Sequence, residues 1–288
     1  MKIANHDIGP GHPCFITAEI GINHGGSIET AKKLIDVAAF AGCQAVKFQK
    51  RTVETVYSRA ELDRPRESPF GTTNRDLKIA LEFDLDAYRQ IDSYCREKKI
   101  IWFASPWDTE SVDFLAQFDI PVYKVASACI TDLELLHRIA LQGKPVIVST
   151  GMSTLDEIAT AVNILRMYTE EIALLACVST YPAKLEELNL LRIHTLRLLY
   201  PQYAVGYSGH EIGLYSTLSA VAMGACIVER HITLDRASWG SDQAASVEPQ
   251  GLLKLVREIR DLEKARGNGE IGMLESEKPV MEKLRRIK

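Results

Sequence analysis

Residues 121–168 read PVYKVASACITDLELLHRIALQGKPVIVSTGMSTLDEIATAVNILRMY. Two short apolar runs, 122–127 and 145–151, alternate with two longer amphipathic stretches, 132–142 and 154–167. The first amphipathic stretch follows the capping-type Thr131 and stops at Gly143-Lys144-Pro145. The second opens on Thr154-Leu155-Asp156-Glu157, a capping-box pattern. The apolar runs are continuous rather than alternating. That suits parallel strands covered on both faces.

The same strand-then-helix unit extends in both directions. Upstream, strands are expected at 14–21 (CFITAEIG), 45–49 (AVKFQ) and 100–106 (IIWFASP). Downstream, they are expected at 172–178 (IALLACV), 203–209 (YAVGYSG) and 226–234 (CIVERHITL). Helical periodicity fills 27–41, 86–98, 109–117, 186–199, 213–223 and 249–266. Eight strand–helix units predict an α/β fold, a (β/α)8 TIM barrel. An open doubly wound sheet is the alternative, but no G-x-G-x-x-G follows the first strand. Residues 2–13 suggest a short N-terminal hairpin that plugs the barrel bottom. Residues 51–76 form the longest stretch without periodicity, which suggests a functional loop such as a lid. Two parts are therefore expected: a catalytic barrel over 1–266 and a polar, loosely attached tail over 267–288.

Composition sets limits on function. The 288 residues carry 34 Lys+Arg against 38 Asp+Glu, a net charge of −4, without the basic stripe of a nucleic-acid binder. The longest apolar runs are about seven residues, far below the roughly twenty that span a bilayer. No secretory leader pattern is visible at the N-terminus, and the six cysteines form no C-x-x-C pair. A cytoplasmic protein with reduced thiols is expected, with neither nucleic acid nor membrane as partner.

In a barrel of this kind the chemistry lies where strands end. The eight C-terminal ends supply Glu19, Asn23 and His24; Lys47 and Gln49; Ser105; Lys124 and Ser127; Ser149 and Thr150; Ser179 and Tyr181; Ser208 and His210; and Glu229 and His231, with Asp242 just beyond. His210 and His231 end adjacent strands and are able to share one ion; two structural histidines are the alternative. Two nitrogen ligands leave open positions, as a catalytic ion requires. Lys47 and Lys124 on inner strands call for an anion, a Schiff-base role or a structural ion pair.

These residues also form motifs. Ala18 to Gly26 (AEIGINHGG), Ala45 to Gln49 (AVKFQ), Tyr123 to Ser127 (YKVAS) and Ser149 to Ser153 (STGMS) resemble segments of the sialic acid synthases. Tyr181-Pro182, Gly206 to His210 (GYSGH), Glu229-Arg230-His231 and Gly240 to Ser246 (GSDQAAS) continue the resemblance in order, over residues 2–266. That family includes N-acetylneuraminate, legionaminate and pseudaminate synthases.

The resemblance implies a barrel enzyme that condenses phosphoenolpyruvate with an open-chain aldose, such as N-acetylmannosamine, giving a 3-deoxy-2-ulosonic acid and phosphate. It implies a divalent ion, Mn2+ with Mg2+ or Co2+ as alternatives, on the residues matching His210 and His231. It assigns phosphoenolpyruvate to Lys47, Ser105, Lys124, Ser127, Ser149, Ser179 and Ser208, and the sugar to Glu19, Gln49, Tyr181 and Asp242. Glu19, Lys47, Lys124 and Asp242 are the expected catalytic set. Ser105 stands where many members have Thr, and Ser179 where some have Asn. A homo-oligomer, dimer or tetramer, is implied as well. Many members carry a further antifreeze-like domain that gives an Arg to a neighbouring subunit's sugar; this sequence stops at Lys288, so an aldose other than N-acetylmannosamine is expected. A Schiff-base aldolase and a non-catalytic sugar-binding barrel are the competing functions.

Overall fold

The computed structural model describes residues 1–287. The chain begins with an antiparallel hairpin of β1 (Lys2–Ile3) and β2 (His6–Asp7). Eight parallel strands follow: β3 (Phe15–Gly21), β4 (Ala45–Lys50), β7 (Ile101–Pro106), β8 (Tyr123–Val125), β9 (Val146–Ser149), β10 (Ile172–Cys177), β11 (Ala204–Gly209) and β12 (Ile227–His231). Between β4 and β7 lies a second hairpin, β5 (Pro65–Ser68) with β6 (Gly71–Thr73). The sheet order is β7-β4-β3-β12-β11-β10-β9-β8, and packing of β7 against β8 nearly closes the ring.

The helices run α1 (Ile28–Ala41), α2 (Val53–Val56), α3 (Arg59–Leu62), α4 (Asn74–Ala80), α5 (Leu85–Lys98), α6 (Thr109–Leu115), α7 (Leu133–Ala140), α8 (Leu155–Leu165), α9 (Arg192–Leu199), α10 (Tyr215–Ala222), α11 (Pro249–Arg266) and α12 (Lys278–Leu284). All eight strands expected from hydrophobicity are present, seven of them shortened at their ends and β4 extended by one residue, to Lys50. Each main helix turns an apolar stripe inward: Leu34, Ile35 and Ala38 on α1, Leu135, Leu136 and Ile139 on α7, and Leu252, Leu255 and Ile259 on α11 are buried. These side chains pack on the outward residues of the strands, so the core is a cylinder between sheet and helices.

Three expectations are revised. Residues 51–76 are not a structureless loop but a folded excursion of α2, α3 and the β5–β6 hairpin. Local hydrogen bonding explains this: Ser58 Oγ caps α3, Thr73 and Asp76 form a capping box, and Arg75 bridges Glu54 and Asp63. The cap of α7 is Asp132 rather than Thr131, because its carboxylate accepts from the Leu135 amide. The stretch 186–199 divides into a 3-10 turn, Leu185–Glu187, and α9. The polar tail holds α12, whose side chains stay largely exposed. The first hairpin sits at the N-terminal end of the barrel: the Lys2 amide donates to Glu171, the residue before β10, and Ile3 and Ile8 are buried there.

Outside the barrel wall, one ion pair fixes the loop after β11. Arg230 on β12 donates to Glu211 Oε1 at 3.0 Å, to the Glu211 carbonyl at 2.7 Å and to Thr217 Oγ1 at 2.7 Å. Glu211 also accepts from Tyr207 Oη at 2.8 Å. Breaking such a pair strands a buried charge, at a cost of about 3–5 kcal/mol. Arg230→Ala is therefore expected to lower unfolding stability by about that amount in a urea titration; a change below about 1 kcal/mol, the worth of an exposed pair, contradicts the burial argument.

Candidate functional site

Strand register assembles the site. His231 pairs with Glu19, Glu19 with Lys47, and Gln49 with Ser105 across successive strands. On the other side of β12, Glu229 pairs with Ser208, and Ser208 with Cys177. Side chains alternate along a strand, so Glu229 and His231 both face the barrel axis while Arg230 faces the helices. The polar ends thereby line one cavity of about 150 Å3 at the C-terminal face. Of the thirteen residues to which the resemblance gave a role, twelve stand on its wall: Glu19, Lys47, Gln49, Ser105, Lys124, Ser127, Ser149, Ser179, Tyr181, Ser208, His210 and His231. Asp242 is the exception. It stands behind His231, with Oδ2 3.6 Å from Nδ1, because the loop after β12 runs outside the wall. His24 does not line the cavity either; it stacks on Phe83 at 4.1 Å, and burial lowers its pKa to about 3.

Electrostatics in the cavity centre on a residue that sequence reading placed at a strand end but gave no role. Glu229 Oε1 lies 3.0 Å from Lys47 Nζ and 4.0 Å from Lys124 Nζ, and accepts from Ser208 Oγ at 3.2 Å. Lys47 also donates to Ser105 Oγ at 3.3 Å and lies 3.5 Å from Glu19 Oε2. Lys124 donates to Ser149 Oγ at 2.6 Å and to the Val125 carbonyl at 3.0 Å. The signal for Glu229 was its spacing of two from His231.

The groups differ in how firmly they hold charge. Burial works against the Glu229 carboxylate, but Lys124 and Lys47 overcome it and hold its pKa well below the usual range. Burial dominates at Glu19 and pushes it up to about 7, against the pull of Lys47. Burial also lowers Lys124 to about 8, although Glu229 resists. At Lys47 burial is outweighed by Glu19 and Glu229, and the pKa rises. Two ammonium groups thus face one firm carboxylate and one that readily takes a proton. The cavity is left short of negative charge, which suits an anionic ligand.

Two glycines are required by space. Gly21 has φ +53°, and a Cβ there would stand 3.1 Å from Glu19 Oε1 and 3.2 Å from Gln49 Nε2. A Cβ on Gly151 would strike Ser179 Oγ and stand 2.8 Å from Ser127 Oγ, two hydroxyls of the cavity wall. The Gly151 amide instead donates to Ser127 Oγ at 3.1 Å. At the rim, Gln49 bridges Glu19 and Arg51, and the Arg51 guanidinium lies on Trp107 at 4.2 Å.

His210 and His231 have ring centroids 5.4 Å apart, and Tyr181 stacks on His210 at 4.1 Å. His210 Nδ1 lies 2.6 Å from the Val178 carbonyl, which only accepts, so the proton sits on Nδ1 and the Nε2 lone pair is left for a ligand. Burial first, against the pull of Asp242, lowers His231 to about 4, and its Nδ1 is buried without a hydrogen-bond partner. Burial also opposes charge on His210, but Cys177 and the Val178 carbonyl outweigh it and raise its pKa, so an incoming cation would displace a proton there. A neutral imidazole at His231 and a directed lone pair on His210 Nε2 fit a divalent ion. Among the described residues, no three or more His, Cys, Asp and Glu side chains converge on one point. Such an ion would therefore take its other ligands from water or substrate.

A (β/α)8 barrel with buried cations and paired imidazoles at its strand ends is the class of protein that the fold and site define. The chain belongs to the NeuB family, whose model matches residues 34–271. It is 39% identical over 279 residues to the N-acetylneuraminate-9-phosphate synthase of Mus musculus, covering 96% of this chain and 78% of that protein. It is 38% identical over 264 residues to the N,N'-diacetyllegionaminic acid synthase of Campylobacter jejuni, covering 88% and 78%. The crystal structure of an N-acetylneuraminic acid synthetase from Leptospira borgpetersenii, in complex with citrate, superposes with a TM-score of 0.88 at 34% identity, covering 100% of this chain and 98% of that one.

Glu229 as the counterion of both lysines carries a prediction. In Glu229→Gln the two ammonium groups lose their firm partner, so the unfolding midpoint should fall, and inorganic phosphate should raise it more than in the unaltered protein. Equal phosphate stabilisation of the two proteins in a thermal melt would contradict this.

Proposed function

We propose that the chain condenses phosphoenolpyruvate with an open-chain aldose to give a nonulosonic acid of the sialic acid type and inorganic phosphate. The observation that carries this reading is the pair of buried ammonium groups, Lys47 and Lys124, flanked by Ser105, Ser149 and Ser208 around one carboxylate. A small, highly charged anion is what such a wall neutralises. The relatives' names, a nine-carbon acid phosphate in one case and a legionaminic acid in another, support the product class.

In the proposed reaction, C3 of phosphoenolpyruvate bonds to the aldehyde carbon, water adds at C2, and phosphate leaves by C–O cleavage. Lys47 and Lys124 hold the carboxylate and phosphate, and the serine hydroxyls orient them. Ser127 and Ser179 add hydroxyls to the wall, and the Gly151 amide fixes the Ser127 hydroxyl. Glu19, with its pKa pushed up to about 7, moves a proton to or from the water or the sugar; Gln49 holds its Oε1. Tyr181 packs against the His210 ring, and Asp242, behind His231, orients that imidazole. A divalent ion, Mn2+ first among the candidates, would be held by His210 and His231 and supplies, when bound, positive charge for the aldehyde oxygen. Its dependence on these residues belongs to the proposal.

The test is release of phosphate from phosphoenolpyruvate against a panel of aldoses, with Mn2+ and with EDTA. Release is expected only when both substrates and the ion are present. Lys47→Ala and Lys124→Ala should each reduce kcat/KM by a factor on the order of 100 or more, as loss of a charge-assisted contact in a dry site predicts. Turnover that survives EDTA, together with borohydride trapping of substrate on Lys124 or Lys47, would identify a Schiff-base aldolase instead.

The aldose's far end matters for specificity. Phosphoenolpyruvate adds three carbons to a six-carbon aldose, so aldose C6 becomes C9 of the acid. Relatives named for a 9-phosphate and relatives named without one differ at that atom.

A further inference from the structure

Glu19 and Gln49 line the cavity, and a third residue, Arg51, holds the second of them without lining it. Arg51 follows β4 directly and is buried. Its Nη2 donates to Gln49 Oε1, and Gln49 Nε2 donates to Glu19 Oε1 at 2.8 Å. The guanidinium has little choice of direction. Its Nη1 lies 3.5 Å from Glu82 Oε1, the Arg51 amide donates to Glu82 Oε2 at 3.1 Å, and Cζ stands over the Trp107 ring, 4.2 Å from its centroid. Trp107 is fixed to the same strand, its amide donating to the Lys50 carbonyl at 3.0 Å.

The two ends of the Gln49 amide have opposite character, and the neighbours decide which end faces which. Turned round, Gln49 would set Nε2 against the guanidinium, where both groups donate, and Oε1 against the Glu19 carboxylate, where both accept. Glu19 alone does not fix the amide. Burial pushes its pKa up to about 7, and once protonated it can donate to the Oε1 of a turned amide. Arg51 keeps its proton throughout and has donors only, so it blocks the turn whether or not Glu19 is protonated. Glu19 Oε1 therefore stays engaged, while Oε2 is buried without a hydrogen-bond partner, 3.5 Å from Lys47 Nζ. Gln49 has one Nε2 hydrogen left over, so it meets a ligand as a donor.

We infer that Arg51 is a positioning residue for the aldose end of the site: acting through Gln49, it keeps Glu19 Oε1 engaged and Oε2 free, and it turns the remaining Gln49 amide hydrogen toward an oxygen of the aldose. This rests on the condensation proposed above and on the part given there to Glu19. It adds the residue that sets both groups. The lysines and serines that hold phosphoenolpyruvate do not depend on Gln49, so Arg51 acts on one substrate and not on the other.

The experiment is a double-mutant cycle of Arg51→Met and Gln49→Met, read with whichever aldose of the panel above releases phosphate fastest. Arg51→Met alone should cut kcat/KM for the aldose at least about tenfold, as loss of a charge-assisted hydrogen bond predicts, with KM for phosphoenolpyruvate unchanged. In the Gln49→Met background the same substitution should cost nothing further. Arg51→Lys, which also has donors only, should recover part of the loss. Arg51→Gln, which can turn an oxygen to Gln49, should not. In protein carrying isotope-labelled glutamine, the Gln49 side-chain amide is assigned by its absence from the NMR spectrum of Gln49→Met. Its hydrogens should exchange slowly with solvent and lose that protection in Arg51→Met. Equal losses in both backgrounds would make Arg51 a structural partner of Glu82 alone and overturn the inference. So would an effect on phosphoenolpyruvate KM alone, Arg51→Gln as active as Arg51→Lys, or amide protection unchanged in Arg51→Met. Absence of phosphate release with every aldose overturns the condensation instead, and the amide protection then still decides whether Arg51 fixes Gln49.

Discussion

The arrangement depends on keeping two ammonium groups charged inside a barrel mouth. Lys47 and Lys124 are almost entirely enclosed, and an isolated buried ammonium would shed its proton or destabilise the fold. Glu229 prevents this by standing between them. It can do so only because β12 places it level with Ser208 on one side, while Glu19 and Lys47 follow level with His231 on the other. A shift of one residue in any of these strands would turn its polar set toward the helices. The apolar strand middles, fully buried on both faces, hold the register that the charges need.

The same short strand ties the site to the scaffold. Glu229 and His231 face inward, and between them Arg230 reaches out to Glu211 and the Gly213 carbonyl. Glu211 follows His210 directly, so the outer ion pair holds the loop that carries one imidazole while β12 carries the other. Both imidazoles are thereby referred to a single element. Tyr181 packs on His210 from the loop after β10 and completes the enclosure.

Much of this was legible in the sequence for a physical reason. Continuous apolar runs, repeated at helix-length intervals, admit few folds, and a barrel directs all its strand ends to one face. Lys47 and Gln49, or Glu229 and His231, share a face because side chains alternate. What stayed hidden depended on distances across strands or on loop paths. Glu229 read as one more polar strand end, since its contact with two lysines exists only once β4, β8 and β12 surround one axis. Asp242 read as a wall residue, since nothing in its motif reveals that the loop passes behind His231. Residues 51–76 lacked periodicity, yet Ser58, Thr73, Asp76 and Arg75 supply enough local bonds to fold them. Sequence reading weights repeating apolar positions, and this segment is organised by caps and ion pairs.

Charge in the mouth also bears on how a ligand enters. With Glu229 firmly ionised and Glu19 pushed up to about 7, the lysines are oriented by the protein's own groups, hydrogen-bonded to Ser105 and Ser149. An incoming phosphate or carboxylate therefore meets donors in place, and the ordering cost of two long side chains falls on folding rather than on binding. The carboxylate that makes this possible competes with the ligand for the same ammonium groups. The compromise is geometric: Glu229 lies 3.0 Å from Lys47 but 4.0 Å from Lys124, and Glu19 adds to Lys47 alone, so the charge on Lys124 is the less closely countered of the two and the more available to a new anion.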